Sequence, residues 1–197
     1  VLRVTAAFNS SVLRRDYCLE SGSDAVKVTA RVDFHEKHKS FKLSFPTDGD
    51  SVISEIPYST VIRKKNSGEE PCGAWISNGI FCVANDGKYG YDAVDGEMRL
   101  TVLRGAVYAD HVGVRDEFCE YMDQGEHDFT YWIYPFTDNR SAEERAQELN
   151  FGLRGVLGGF HGGKLPEHGS CFSKKEDSVI ITAIKKAEDN DETVIRF

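Results

Sequence analysis

Apolar and polar residues alternate with a period of two along much of this chain, and that pattern predicts strands. Ala25-Val-Lys-Val-Thr-Ala-Arg-Val-Asp-Phe34 places every second residue on one apolar face, as a half-buried antiparallel strand requires. Phe41-Lys-Leu-Ser-Phe45 repeats the alternation and stops at Pro46-Thr-Asp-Gly-Asp, where proline fixes φ and glycine admits positive φ. Further strand runs are expected at 51–56, 60–63, 74–83 and 98–102, with an aromatic, β-branched run at 129–134. Many short strands separated by turn clusters predict an all-β fold, a large antiparallel β-sandwich rather than a parallel sheet.

One helix interrupts the strands. Ser141-Ala-Glu-Glu144 reads as a capping box, predicting a helix over about 141–150 that buries Ala142, Ala146 and Leu149. Residues 155–169, with repeated glycines and Pro166, read as a loop ahead of a C-terminal strand pair, 178–185 and 192–197. Residues 1–197 are therefore expected to form a single β-sandwich domain. The chain opens and closes on strand-like runs, Val1-Leu-Arg-Val-Thr and Thr193-Val-Ile-Arg-Phe197, which is expected of a piece of a longer chain.

Composition narrows the partners. A net charge of −8 over 197 residues argues against nucleic acid and anionic membrane, both of which need a basic footprint. No apolar run reaches membrane-spanning length. The five cysteines, Cys18, Cys72, Cys82, Cys119 and Cys171, are odd in number and widely spaced, as free thiols of a cytoplasmic protein would be.

The stretch richest in chemistry is Ala84-Asn-Asp-Gly-Lys-Tyr-Gly-Tyr-Asp92, a polar turn between two strand runs that reads as a hairpin or a tight crossover. Asn85, Asp86, Lys88, Tyr89 and Asp92 offer amide, carboxylate, ammonium and aromatic groups of the kind that grip sugars. This block resembles the Asn-Asp-x-Lys-Tyr-Gly-Tyr-Asp element of the glycoside hydrolase family 38 α-mannosidases, in their bacterial and cytosolic branch. Four further stretches are similar to that family in order: Asp33-Phe-His-Glu-Lys-His-Lys39, with Phe34 where tryptophan is usual; Glu55-Ile-Pro-Tyr58 with Arg63; Glu70-Pro71 with Trp75; and Asp123-Gln-Gly-Glu-His-Asp-Phe-Thr-Tyr131. The matches span roughly positions 33 to 131. The resemblance implies the C-terminal β-domain of a retaining α-mannosidase, a supersandwich similar to galactose mutarotase. It also implies that the aspartate nucleophile, the acid/base carboxylate and the zinc belong to an N-terminal (β/α) barrel outside these residues. No catalytic residue, metal or cofactor is then expected here. The implied partners are the N-terminal domains of the same chain and a mannose-containing oligosaccharide, with homo-oligomer formation left open. Asn85, Asp86, Lys88, Tyr89, Asp123 and His127 are the residues placed at the mouth of the mannose pocket, through hydrogen bonds to sugar hydroxyls and aromatic stacking from Tyr89 or Tyr91.

Other readings of the same residues remain. Glycosidases work with paired carboxylates, and Asp86 with Asp92 or Asp123 with Glu126 are the pairs available, each in a turn where acids also serve local hydrogen bonding. His35-Glu-Lys-His38 is one residue short of the zinc motif His-Glu-x-x-His, and its histidines are read as pairing side chains at a strand end. His111 has no stated role, and Asp116, Glu117, Glu120 and Asp123 read as a solvated acidic face. Two functions of other classes stay open. An autonomous carbohydrate-binding module would present Trp75 and Trp132 as an exposed platform. A mutarotase-type epimerase would pair His127 with Glu126 or Glu97.

Overall fold

The computed structural model describes residues 1–64, 66–108, 120–176 and 178–197, and for residues 66 and 67 the backbone alone. It divides into two units, Val1–Gly152 and Leu153–Phe197.

The first unit is an antiparallel two-sheet sandwich carrying one helix. Its strands are β1 (Leu2–Phe8), β2 (Ser11–Leu19), β3 (Val26–Phe34), β4 (Ser40–Pro46), β5 (Ser51–Ile56), β6 (Ser59–Lys64), β7 (Asn66–Pro71), β8 (Trp75–Ser77), β9 (Phe81–Asn85), β10 (Gly90–Val94), β11 (Glu97–Arg104) and β12 (Gly125–Pro135). The large sheet has the order β1-β2-β3-β12-β9-β8-β5-β6, and the small one β4-β11-β10-β7. The core lies between them, where Val28, Val32, Phe34, Ile76, Met98 and Leu100 are buried. Alternation decides which side chains enter it: in β3, Val28, Ala30, Val32 and Phe34 are buried while Lys27, Thr29 and Arg31 stay outside.

The large sheet buries its other face too, under helix α1 (Asn139–Phe151). Trp75, Cys82, Ala84, Trp132 and Tyr134 meet Ala142 and Ala146 there, and Leu149 is partly buried beside them. The helix starts earlier than the capping box suggests. Asp138 is the N-cap, accepting from Ser141 N at 2.9 Å and Ser141 Oγ at 2.7 Å. A carboxylate is the stronger acceptor for orphan helix N–H groups, so Asp138 takes the role read for Ser141.

Two further boundaries differ from the expected pattern. The run 74–83 is broken into β8 and β9 at Asn78-Gly79, where Gly79 has φ +86° and Asn78 Oδ1 accepts from the N–H groups of Ile80 and Phe81. The stretch 84–92 proves to be a crossover: β9 belongs to the large sheet and β10 to the small one. The hairpin lies one turn later, between β10 and β11, with both Asp95 (φ 51°) and Gly96 (φ 79°) in the left-handed region that a type I′ turn requires.

In the second unit β13 (Ala183–Lys186) pairs antiparallel with β14 (Thr193–Arg196). The first of these starts at Ala183, five residues beyond the start of the expected run, and the described residues of 153–182 carry no helix or strand.

Candidate functional site

One end of the sandwich is organised around Glu36. Strand β3 ends at Phe34, and the turn that follows folds the Glu36 side chain inward until the residue is 5% exposed. The carboxylate accepts from Lys39 Nζ at 3.0 Å, Ser11 Oγ at 2.9 Å, Ser10 N at 3.1 Å and Asn9 Nδ2 at 3.1 Å. Lys39 foremost, with the three neutral donors, outweighs the cost of burial and holds the Glu36 pKa down at about 2. The backbone carbonyl of Glu36 accepts from Gln124 Nε2 at 3.1 Å. Gly105 passes so near that carbonyl that a Cβ there would stand 1.9 Å from its oxygen. Gly105 is bonded on both sides, accepting from His38 N at 2.6 Å and donating to Lys39 O at 2.8 Å. Arg104 N in turn donates to Asp123 Oδ2 at 2.8 Å.

This junction sets the base of the loop that feeds β12. Asp123, with φ 54°, is exposed, and its carbonyl accepts from His127 Nε2 at 3.0 Å. The partner being a carbonyl, Nε2 carries a proton. Pairing with β3 puts His127 opposite Val32 and Phe129 opposite Ala30, so both stand on the core face of the large sheet, His127 at its end.

The crossover loop 85–89 lies beside the same stretch of β12. Asp86 N donates to Thr130 O at 3.2 Å, and Thr130 N donates to Asp86 Oδ2 at 2.7 Å. Asn85 is buried and its amide is fully spent: Nδ2 donates to the carbonyls of Gly73 and Ala74, and Oδ1 accepts from the N–H groups of Gly87 and Lys88. That cage aims Lys88, whose Nζ sits 5.3 Å from the centre of the Phe129 ring. Tyr89 is 66% exposed. Lys88 thus stands over Phe129, on the face of β12 that carries His127 two residues, about 7 Å, further along the strand. Asn85 shapes the first loop from within, and Asp86 and Asp123 tie the two loops to neighbouring backbone.

The other pairings do not assemble. Asp92 is buried on the outer face of the small sheet. Burial opposes its charge, yet hydrogen bonds from Arg99 (2.6 and 2.7 Å) and Lys42 (2.7 Å) prevail and keep it below the usual carboxylate range, unfit as a proton donor. Glu126 faces the side opposite His127 and meets Arg31 at 2.6 Å. Glu97 starts β11, at the far end of that strand from Arg104. An epimerase pair is therefore absent among these residues. Trp75 (0% exposed) and Trp132 (8%) are core side chains, which removes the sugar-binding platform. His35 and His38 lie in the turn after β3 rather than on the strand: His35 Nε2 meets Asp33 Oδ1 at 2.7 Å, and His38 meets the Tyr121 hydroxyl at 3.0 Å. His111, Asp116, Glu117 and Cys119 lie outside the described residues. Glu36, Gly105, Gln124 and Phe129 were not singled out from the sequence. Only the proximity of Glu36 to two histidines marked it, and those histidines were read as pairing side chains at a strand end.

Burial pushes the thiols of Cys72 and Cys82 up to about 12 and about 11, leaving them unreactive near neutrality. Cys18, Cys72, Cys82 and Cys171, the four cysteines among the described residues, are free thiols. No described helix is long and apolar enough to cross a membrane.

The fold is thus an all-β sandwich with one helix, in which the carboxylate pairs read from the sequence do not assemble among the described residues. Residues 1–112 match the family model described as the glycosyl hydrolases family 38 C-terminal domain, and the chain belongs to that family. It is 30% identical over 124 residues to alpha-mannosidase G of Dictyostelium discoideum, covering 59% of this chain and 10% of that protein. It is 26% identical over 197 residues to alpha-mannosidase 2C1 of Mus musculus, covering 91% of this chain and 18% of that one. An α-mannosidase structure from Enterococcus faecalis V583 shares the fold at a TM-score of 0.78 and 16% identity, over 94% of this chain and 23% of that one. The chain therefore spans less than a quarter of each of these relatives.

Proposed function

We propose that these residues form the C-terminal β-domain of a longer, cytoplasmic, retaining α-mannosidase, packing on its catalytic barrel and lending loops to the rim of the mannose pocket. The observation that supports this most is the convergence of loops 85–89 and 123–127 at one end of the sandwich, where Lys88 and His127 share a face of β12. Lys88 donates hydrogen bonds, the His127 ring offers its Nδ1 for another, and the exposed Tyr89 ring offers a stacking face. Sugar recognition draws on these three capacities. Asn85, Asp86 and Asp123 act beneath them by fixing the loops.

No group of three or more His, Cys, Asp or Glu among the described residues could hold an ion, so these residues do not fit the zinc that the resemblance implies. We place it in the barrel with the nucleophile and the acid. Rim contacts alone cannot lower the barrier, so the domain by itself is inactive.

The test is hydrolysis of 4-nitrophenyl α-mannoside by the longer chain with zinc present, compared with residues 1–197. Activity belongs to the longer chain, and Lys88→Ala and His127→Ala each lower kcat/KM there by about tenfold, the worth of one good polar contact. Hydrolysis by residues 1–197, or wild-type kinetics in both variants, overturns the reading.

A further inference from the structure

Residues 121–125 lead into β12 by way of two left-handed residues, Asp123 at φ 54° and Gly125 at φ 99°, with Gln124 between them. The segment is held from two sides. Toward the end of β11, Met122 N donates to Ala106 O at 2.8 Å, and Arg104 N donates to Asp123 Oδ2 at 2.8 Å. Toward the turn after β3, the Tyr121 hydroxyl meets His38 Nε2 at 3.0 Å, and the Lys37 ammonium stands 4.9 Å from the centre of the Tyr121 ring. Gln124 adds a tie on that second side. Its Nε2 donates to Glu36 O at 3.1 Å and to Met122 O at 2.9 Å, which commits both N–H groups of the amide.

Gly105 makes room for the bond to Glu36: a Cβ there would stand 1.9 Å from Glu36 O and 3.4 Å from Gln124 Nε2. The acceptor is fixed as well, because Asn9, Ser10, Ser11 and Lys39 all donate to the Glu36 carboxylate. Covalent geometry says what Gln124 orients. The Asp123 carbonyl belongs to the planar peptide between Asp123 and Gln124, so ψ of Asp123 and φ of Gln124 decide where it points. The Asp123 side chain is anchored on one flank of that plane, and the Gln124 side chain on the other. This carbonyl is the one that accepts from His127 Nε2 at 3.0 Å. A left-handed residue other than glycine keeps its conformation only while its surroundings hold it there, and Asp123 is such a residue.

We propose that Gln124 is a positioning residue of the pocket rim: its amide, seated on the Glu36 carbonyl, fixes the Asp123–Gln124 peptide and so the direction in which the His127 ring meets a mannoside. This rests on the reading of His127 as a rim contact. With both amide protons committed to backbone carbonyls, Gln124 acts through His127 and not on the sugar. Gln124 is exposed, so replacing it disturbs the aim of His127 more than the folding of the sandwich.

The experiment uses the full-length chain and Gln124→Met, which keeps the length of the side chain and removes the donor. With 4-nitrophenyl α-mannoside, KM rises about threefold while kcat stays within about twofold, since a binding contact is misaimed and the chemistry is untouched. In a His127→Ala background the same substitution changes kcat/KM by less than about 1.5-fold, because the group it aims is gone. Where His127→Ala itself lowers kcat/KM, an unchanged KM in Gln124→Met, or losses that multiply in the double variant, overturns the proposal. Gln124→Lys keeps a donor toward the Glu36 carbonyl and stays within about 1.5-fold of the wild-type KM. A KM as high as that of Gln124→Met overturns the proposal too. The second readout does not depend on activity: deuterium exchange at the imidazole C2–H of His127, mapped by mass spectrometry with His161 and His168 as references. His127 exchanges faster in Gln124→Met than in the wild type, and an unchanged rate overturns the proposal. Wild-type kinetics in His127→Ala beside faster ring exchange in Gln124→Met fails the rim reading and upholds the positioning of His127. A loss in His127→Ala beside an unchanged ring and an unchanged KM in Gln124→Met does the reverse.

Discussion

Two glutamates, each in a stretch resembling the family, sit at different junctions of the sandwich and meet opposite electrostatics. Glu36 is drawn into a ring of donors that includes the Lys39 ammonium, and its pKa falls to about 2. Glu55 is packed against Gly73, where its carboxylate accepts from the N–H groups of Ala74 and Trp75. Burial, reinforced by the charge of Glu143, nevertheless pushes its pKa up. Glu143 is held close by its own bond to Trp75 Nε1 at 2.9 Å. The comparison teaches that burial alone does not set the sign of a carboxylate's contribution. At Glu36 a cation three residues on overcomes burial, whereas at Glu55 burial prevails and a helix residue 88 positions away adds to it.

The largest expected effect comes from the glycine that makes room at the Glu36 junction. In Gly105→Ala the new methyl meets backbone, the Glu36 carbonyl at 1.9 Å, so the loops must separate. A loss of about 3 kcal/mol or more in urea unfolding is expected. Next comes Glu36→Ala, which strands the donors of Ser10, Ser11 and Lys39 and lowers Tm by about 5 °C. The milder Glu36→Gln tests the sign. With a folded pKa of about 2 against an ordinary 4.5, the carboxylate stabilises fully above about pH 4.5 and loses its effect as pH falls toward 2. Glu36→Gln therefore flattens the acid limb of a Tm-against-pH curve, and an unchanged limb would refute the role given to Glu36.

At the Glu55 junction the matching substitutions cost less. Gly73→Ala places a methyl 2.6 Å from the Glu55 carboxyl group, the far end of a flexible side chain that can swing aside. A loss of about 1 kcal/mol is expected, and a cost equal to that of Gly105→Ala would remove the distinction between the two junctions. The smallest effect is Glu143→Gln, which relieves Glu55 of a like charge while keeping an acceptor for Trp75. A raised carboxyl contributes fully below about pH 4.5 and loses its effect as pH rises through its folded value. The variant should thus raise Tm by about 1 °C at pH 7 and leave it unchanged at pH 4, as differential scanning calorimetry would show.

Much of the fold was legible because period-two alternation survives wherever one sheet face is buried, as in β3 and β4. It failed where local polar groups compete with the ladder. Asn78 captures two backbone N–H groups and breaks the run 74–83, and Asp138 takes the cap expected of Ser141. The loops 85–89 and 123–127 stood out by composition, but their side chains could not be ranked from it. Asn85 and Lys88 look equally fit to bind sugar, yet one is consumed inside its own turn while the other is aimed over Phe129.

By itself the order of residues determined the strand periodicity, the helix under Trp75 and Trp132, the free thiols and the run of motifs that places the chain in its family. Each depends on neighbours a few positions apart or on composition. Only the tertiary structure decided that the turn after β3 clamps the loop before β12, and that β9 and β10 part into different sheets. These rest on contacts between residues tens of positions apart, whose partners are chosen by packing after the strands exist, and local pattern holds no record of them.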